Sequence, residues 1–268
     1  MKPEGSGPFP AVVIMHDCSG LGPRSSGAPR RWGEELQKQG YVVAIPDSFT
    51  TRGHASGVCT DPSPSRNDVS PFRRVNDAYA ALAYVRGFPY VDGGHVGIMG
   101  GSHGGLTTLA SLVAPEGPQD PLAQEKRNGF AAAVALYPGC GVGLGSWRLS
   151  RVGSRVEFSG VYKPIAPLLI LVGEKDDWTP AQPCRKMVDG AQKGGYPVTI
   201  KIYPGAHHSF DSNSPVRYVA ERVNASSPTG RGATTGGDPA AWADSIREVG
   251  TFFNRYLKVS ETLPAAAQ

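Results

Sequence analysis

The chain has 268 residues, 40% of them hydrophobic, and carries a net charge of +4. That is enough apolar material for one α/β domain with a closed core and too much for a disordered chain. The 27 basic residues are scattered rather than gathered into a stripe, which argues against nucleic acid as a partner, and no apolar run is long enough to span a bilayer.

Residues 1–9 read as a loop, with no charged-then-apolar signal segment. The first strand follows so abruptly that the N-terminus reads as trimmed, leaving both a cytoplasmic and a periplasmic or secreted location open. Residues 10–15 form a short apolar run of the kind buried on both faces of a parallel sheet. A Gly/Pro/Ser loop leads to a helix over 30–39, ended by Gly40, and then to a strand over 41–46. A polar loop over 47–70 precedes a helix over 71–86, a strand over 95–99 and a helix over 103–113. Strands recur over 131–136, 167–172 and 198–203, with helices over 180–192 and, after an Asp238-Pro239 start, 240–257. The segment 212–237, rich in Gly, Ser and Thr, is too long for a plain connector and reads as mobile or as part of a binding site. Residues 258–268 read as a tail. Alternating strands and helices predict an α/β fold, a mainly parallel sheet with helices on both faces, in a single domain over 1–268.

The decisive segment is Gly100-Gly101-Ser102-His103-Gly104, a G-x-S-x-G pattern directly after a strand and directly before a helix. This is the setting of a nucleophile elbow, whose turn is so tight that the positions two residues either side of the serine must be small. The N–H groups opening the new helix favour negative charge above them. A serine hydroxyl needs a base, and in this arrangement the acid and base follow in the order Ser, Asp/Glu, His. After the strand over 167–172 comes Gly173-Glu-Lys-Asp-Asp-Trp-Thr-Pro180, which offers Glu174, Asp176 and Asp177 as acids. After the strand over 198–203 comes Tyr203-Pro-Gly-Ala-His-His-Ser-Phe210, which offers His207 and His208 as bases. All three loops leave the carboxyl edge of the sheet, where sites in such sheets lie. The oxyanion hole needs two backbone donors; these are expected at His103 and, in the loop after the first strand, at Cys18. A metal site at His207, His208 and Asp211 is disfavoured because no third ligand group stands at metal spacing.

At these residues the sequence resembles the dienelactone hydrolase family over roughly residues 8–257. The pieces are Pro10-Ala-Val-Val-Ile-Met-His16, Gly40-Tyr-Val-Val-Ala-Ile-Pro-Asp47, the elbow, the Gly-x-x-Asp-x-x-x-Pro loop and Tyr-Pro-Gly-Ala-x-His-x-Phe. The resemblance implies the α/β-hydrolase fold, the acid at Asp176, the base at His208 and an oxyanion donor at Cys18. It departs at the nucleophile, since the founding members use cysteine where this chain has Ser102. A serine there looks more like the esterase members, so lactone specificity does not carry over. The chain also lacks the first strands of that fold.

The expected activity is therefore hydrolysis of small carboxylic esters through an acyl-enzyme, with no cofactor, no metal, and neither nucleic acid nor membrane as partner. The alternatives are a dienelactone-type lactonase acting on an anionic substrate, a peptidase or amidase using the same triad, and a non-catalytic binding protein on this fold. Arg52, Arg73, Arg74 and Trp178 stand as candidate substrate-binding residues, the arginines because a guanidinium fork suits a carboxylate. Four cysteines permit two disulfides or four buried thiols. All four follow strands at the site's edge of the sheet, which makes Cys18–Cys59 and Cys140–Cys184 sterically feasible pairs.

Overall fold

A computed structural model of the chain describes residues 1–258 except 116, 118, 153 and 154; the tail expected over 258–268 lies, beyond Lys258, outside the described residues. Its strands are β1 (Phe9–Met15), β2 (Val42–Ala44), β3 (Val91–Gly101), β4 (Ala132–Leu136), β5 (Arg148–Val152), β6 (Arg155–Ser159), β7 (Leu168–Gly173), β8 (Val198–Tyr203), β9 (Arg217–Val223) and β10 (Arg231–Thr235). Its helices are α1 (Ala28–Lys38), α2 (Arg74–Arg86), α3 (His103–Ser111), α4 (Ala123–Arg127), α5 (Ala181–Lys193) and α6 (Pro239–Leu257). Six strands form one sheet in the order β2-β1-β3-β4-β7-β8, and every neighbouring pair is parallel.

Alternation along the strands divides the core. Ala11, Val13 and Met15 of β1 face Val75, Leu82 and Val85 of α2 and Met187 and Val188 of α5 in one apolar cluster. Val12 and Ile14 face Trp32 and Leu36 of α1 and Val249, Phe253 and Leu257 of α6 in the other. Successive side chains of a strand point to opposite faces, so a strand covered by helices on both sides must be apolar throughout. The helix α6 begins where Asp238 accepts hydrogen bonds from the N–H groups of Ala240 and Ala241, with Pro239 at its first position.

The main sheet and its large helices lie within a few residues of the boundaries read from the sequence. The segment 212–237 differs. It contains an antiparallel hairpin, β9 with β10, whose turn is pinned by Asn224, its amide donating to Asp177 O and Gly232 O. A second antiparallel pair, β5 with β6, also escaped the sequence reading. These strands lie outside the main sheet and owe their form to a local partner rather than to a long apolar run. Cys18–Cys59 joins the loop after β1 to the loop after β2, and Cys140–Cys184 joins the segment after β4 to α5. No helix among the described residues is long and apolar enough to cross a membrane.

Candidate active site

Strand β3 ends at Gly101 and α3 starts at His103, so the whole reversal falls on Ser102, at φ 53° and ψ −115°. A non-glycine residue holds such a backbone only where its surroundings enforce it. A methyl group at Gly104 would run into the carbonyl of Met15, and one at Gly100 into the backbone of Gly104. The two glycines are thus required by close approach. The Ser102 side chain makes no capping bond to α3; its Oγ instead lies 2.9 Å from His208 Nε2.

The loop after β8 delivers His208, and the hairpin holds it there: the His208 carbonyl accepts from Gly236 N and Thr235 Oγ1. Its ring is fully buried between Tyr137 and Trp178, each with a ring centroid 4.7 Å away. His208 Nδ1 lies 2.8 Å from Asp176 Oδ2. The carboxylate of Asp176 is itself fixed, Oδ1 accepting from the N–H groups of Trp178 at 3.0 Å and Thr179 at 2.7 Å. An ionised carboxylate only accepts, so Nδ1 carries the ring proton and the Nε2 lone pair faces Ser102. The Thr179 hydroxyl lies 2.9 Å from both Asp176 Oδ2 and the Tyr137 carbonyl, and 3.0 Å from His208 Nδ1. Neither Thr179 nor Tyr137 carries a motif that sequence reading could have used.

The rival groups are engaged elsewhere. Asp177 accepts from Thr234 N and Oγ1, both at 2.8 Å, and so anchors the hairpin. Glu174 accepts from Gly205 N, and His207 Nδ1 meets the Lys175 carbonyl at the surface. Asp211 accepts from Tyr137 Oη at 2.7 Å and Trp32 Nε1 at 2.8 Å, and burial pushes its carboxyl above the usual range. It braces the floor of the site rather than joining the two histidines.

In the loop after β1, the carboxylate of Asp17 gathers Ser19 N, Ser19 Oγ and Ser26 Oγ. The backbone N–H groups of Cys18 and His103 donate to no protein acceptor among the described residues. Acyl transfer on a serine uses two such free backbone donors beside a serine, a histidine and a carboxylate. Potential metal ligands cluster at Asp17, Cys18 and Cys59, but the two cysteines are bonded to each other and offer no thiolate.

The model of the dienelactone hydrolase family matches residues 1–257. The chain belongs to the dienelactone hydrolase family. Membership makes it a hydrolase of esters or lactones on the α/β-hydrolase fold. Among curated proteins, one provisionally named carboxymethylenebutenolidase from Methylorubrum extorquens is 27% identical over 222 residues, 82% of this chain and 69% of that protein. Another of that provisional name, from Yersinia pestis, is 25% identical, with 82% of this chain and 76% of that protein covered. Among solved structures, a provisionally named dienelactone hydrolase from Klebsiella pneumoniae superposes with a TM-score of 0.62 at 19% identity, over 95% of this chain and 91% of the other. Thermogutta terrifontis esterase 2 superposes with a TM-score of 0.61 at 20% identity, over 97% and 90%. At that identity the likeness is one of fold.

In this dienelactone hydrolase family member, the three arginines expected to bind substrate each have other partners. Arg52 is taken by Asp77, which it grips with two hydrogen bonds of 2.6 and 2.7 Å, and by the Ser48 carbonyl. Arg73 is exposed, 3.4 Å from Asp68. Arg74 is fully buried and points to His16 and His103. Of the four candidates only Trp178 lines the site, its ring against His208 and its Nε1 donating to Val223 O. A cation the sequence did not single out, Arg222 of β9, lies 4.9 Å from the Trp178 ring.

Proposed function

We propose that the chain is a serine carboxylester hydrolase for small esters. The observation that carries the reading is the line from Ser102 Oγ to His208 Nε2, 2.9 Å, and from His208 Nδ1 to Asp176 Oδ2, 2.8 Å. His208 takes the proton of Ser102 as Oγ attacks the ester carbonyl. The resulting oxyanion is received by the N–H groups of Cys18 and His103, and Asp176 stabilises the imidazolium. His208 then returns the proton to the departing alkoxide, leaving an acyl-Ser102. Water, deprotonated by the same ring, releases the acid by the reverse sequence.

The test is Ser102→Ala, with fluorophosphonate labelling and p-nitrophenyl acetate turnover read beside melting temperature. Loss of label and of turnover by several orders of magnitude, with the fold retained, is expected. Turnover within a factor of about three of the parent refutes the reading, since the hydroxyl is the reacting group.

A second reading, a lactonase for an anionic substrate, draws support from Arg222. Its Nε is buried without a hydrogen-bond partner, and its guanidinium rests on Trp178, whose ring touches His208. A guanidinium with unused donors beside a reacting centre suits a carboxylate. The curated relatives' provisional name also denotes a lactonase. A carboxylate-bearing ester or lactone that outperforms its neutral methyl-capped analogue in kcat/KM, with the advantage lost in Arg222→Gln, favours this reading. A neutral preference that Arg222→Gln leaves unchanged excludes it.

A further inference from the structure

The first residue of α2, Arg74, is the largest fully buried side chain in the described structure. Its Nη1 lies 2.7 Å from His103 Nδ1 and its Nη2 donates to the His16 carbonyl at 2.9 Å. The guanidinium carbon sits 5.0 Å from the centre of the Phe49 ring, and Nε has no partner. No carboxylate among the described residues is within ion-pair distance of it. The acids around it are engaged: Asp77 by Arg52, Asp17 by Ser19 and Ser26, and Asp47 by the N–H groups of Phe49 and Thr50. Its two imidazole neighbours bring no negative charge. Burial, and then Arg74 itself, push His16 down to about 4 and hold His103 well below its ordinary value. Burial also lowers Arg74, to about 9, which leaves it charged at neutral pH. The structure thus keeps a cation inside without a counter-ion, an arrangement that costs stability unless something else repays it.

What the two arms of the fork hold gives the reason. His16 follows β1 and opens the loop that carries the Cys18 N–H, while His103 carries the other unclaimed N–H. We propose that Arg74 is a positioning residue for the oxyanion hole. One guanidinium holds the His16 carbonyl with one arm and the His103 ring with the other, and so ties together the two segments that supply the donors. Because Arg only donates, His103 Nδ1 must accept and the ring proton sits on Nε2. This inference rests on the serine-hydrolase reading above and assigns Arg74 no contact with substrate.

A brace of merely structural importance would change stability and leave the balance between ground state and transition state alone. A positioning residue changes kcat and the affinity for an oxyanion mimic together. The experiment measures Arg74→Met and Arg74→Lys for kcat, KM and inhibition by an alkyl trifluoromethyl ketone, whose serine adduct is an oxyanion. Arg74→Met is expected to lower kcat by on the order of 100-fold, the scale of one lost oxyanion donor. KM should stay within about threefold and the ketone should weaken in step with kcat/KM. Arg74→Lys, which keeps the charge but not the two-armed fork, should recover less than about tenfold of that loss. In the parent, nitrogen-correlated NMR should find His103 as the Nε2–H tautomer, still neutral below its ordinary titration point near 6.5.

A folded Arg74→Met with kcat near the parent's, or with an unchanged response to the ketone, overturns the proposal. So does a parent His103 that carries its proton on Nδ1 or titrates near pH 6.5, the ordinary value. The NMR arm decides even if Arg74→Met does not fold. The two levels separate cleanly: an active Ser102→Ala removes the serine reading, whereas an inactive Ser102→Ala with an unimpaired Arg74→Met removes only the role of Arg74.

Discussion

Replacing Asp176 with Asn separates two adjacent acids that the sequence leaves nearly equivalent. An asparagine keeps the shape and one acceptor oxygen, so the N–H groups of Trp178 and Thr179 that Oδ1 receives keep their partner. Its amide NH2 then faces His208 Nδ1, which must accept instead of donate. The ring proton moves to Nε2, the atom 2.9 Å from Ser102 Oγ, and a protonated Nε2 cannot take the hydroxyl's proton. The corresponding change in a serine protease lowers kcat by roughly 10⁴, or about 5 kcal/mol of activation free energy.

Asp177→Asn reaches none of this, because its carboxylate serves Thr234 on β10. It should reduce the urea midpoint modestly and leave turnover within a few-fold of the parent. Turnover of p-nitrophenyl acetate and urea midpoints on both variants provide the comparison. An Asp176→Asn enzyme within tenfold of the parent, or a greater loss of turnover in Asp177→Asn, would refute the assignment of tautomer and acid alike.

Thiol counting on denatured, oxidised protein should find no free thiol, since both pairs are bonded; four free thiols would defeat both bonds. The Cys140–Cys184 link closes a separation of 44 residues, so its removal by paired serine substitution should cost up to about 4 kcal/mol in the chain-entropy account, measured as the shift in urea unfolding. Stability should also depend on pH through His16, which burial and then Arg74 hold down at about 4. Between that value and the ordinary one near 6.5, the unfolded chain takes a proton that the folded chain refuses. Stability is therefore full above pH 6.5 and falls as the pH drops toward 4, by about 3 kcal/mol from this group alone. His103 acts in the same sense and Asp211, held above its ordinary value, in the opposite one. His16→Asn should show a shallower slope of urea midpoint against pH than the parent, and equal slopes would remove His16 as the cause.

Local sequence determined the parts of this protein whose physics is local. Short apolar runs rich in β-branched residues, such as Ala11–Met15, fit strands buried on both faces, and each returned as a strand of the parallel sheet. The tight turn at Ser102 admits only glycine at positions 100 and 104, because any larger residue meets backbone, so the elbow was legible as a string of letters. The three loops that bring Ser102, Asp176 and His208 together were legible as loops at one edge of the sheet. The choice of Asp176 over Asp177 drew on family spacing, and its physical cause appears only in the fold: Asp177 is pulled away by Thr234, 57 residues later.

The arginines were beyond the reach of sequence altogether. Arg73 and Arg74 are adjacent letters, yet one is solvated and the other is fully buried, because a helix turns successive side chains by about 100°. The hairpin β9–β10 was hidden for a related reason. Neither strand is a continuous apolar run, and they are held by each other, by Asn224 and by contacts to Asp177 and His208 that exist only once the chain has closed. Periodicity and turn chemistry act between neighbours in sequence and can be read there. Which charge is buried, which acid is claimed and which loop becomes a wall of the site depend on partners dozens of residues away, and those only the tertiary structure brings together.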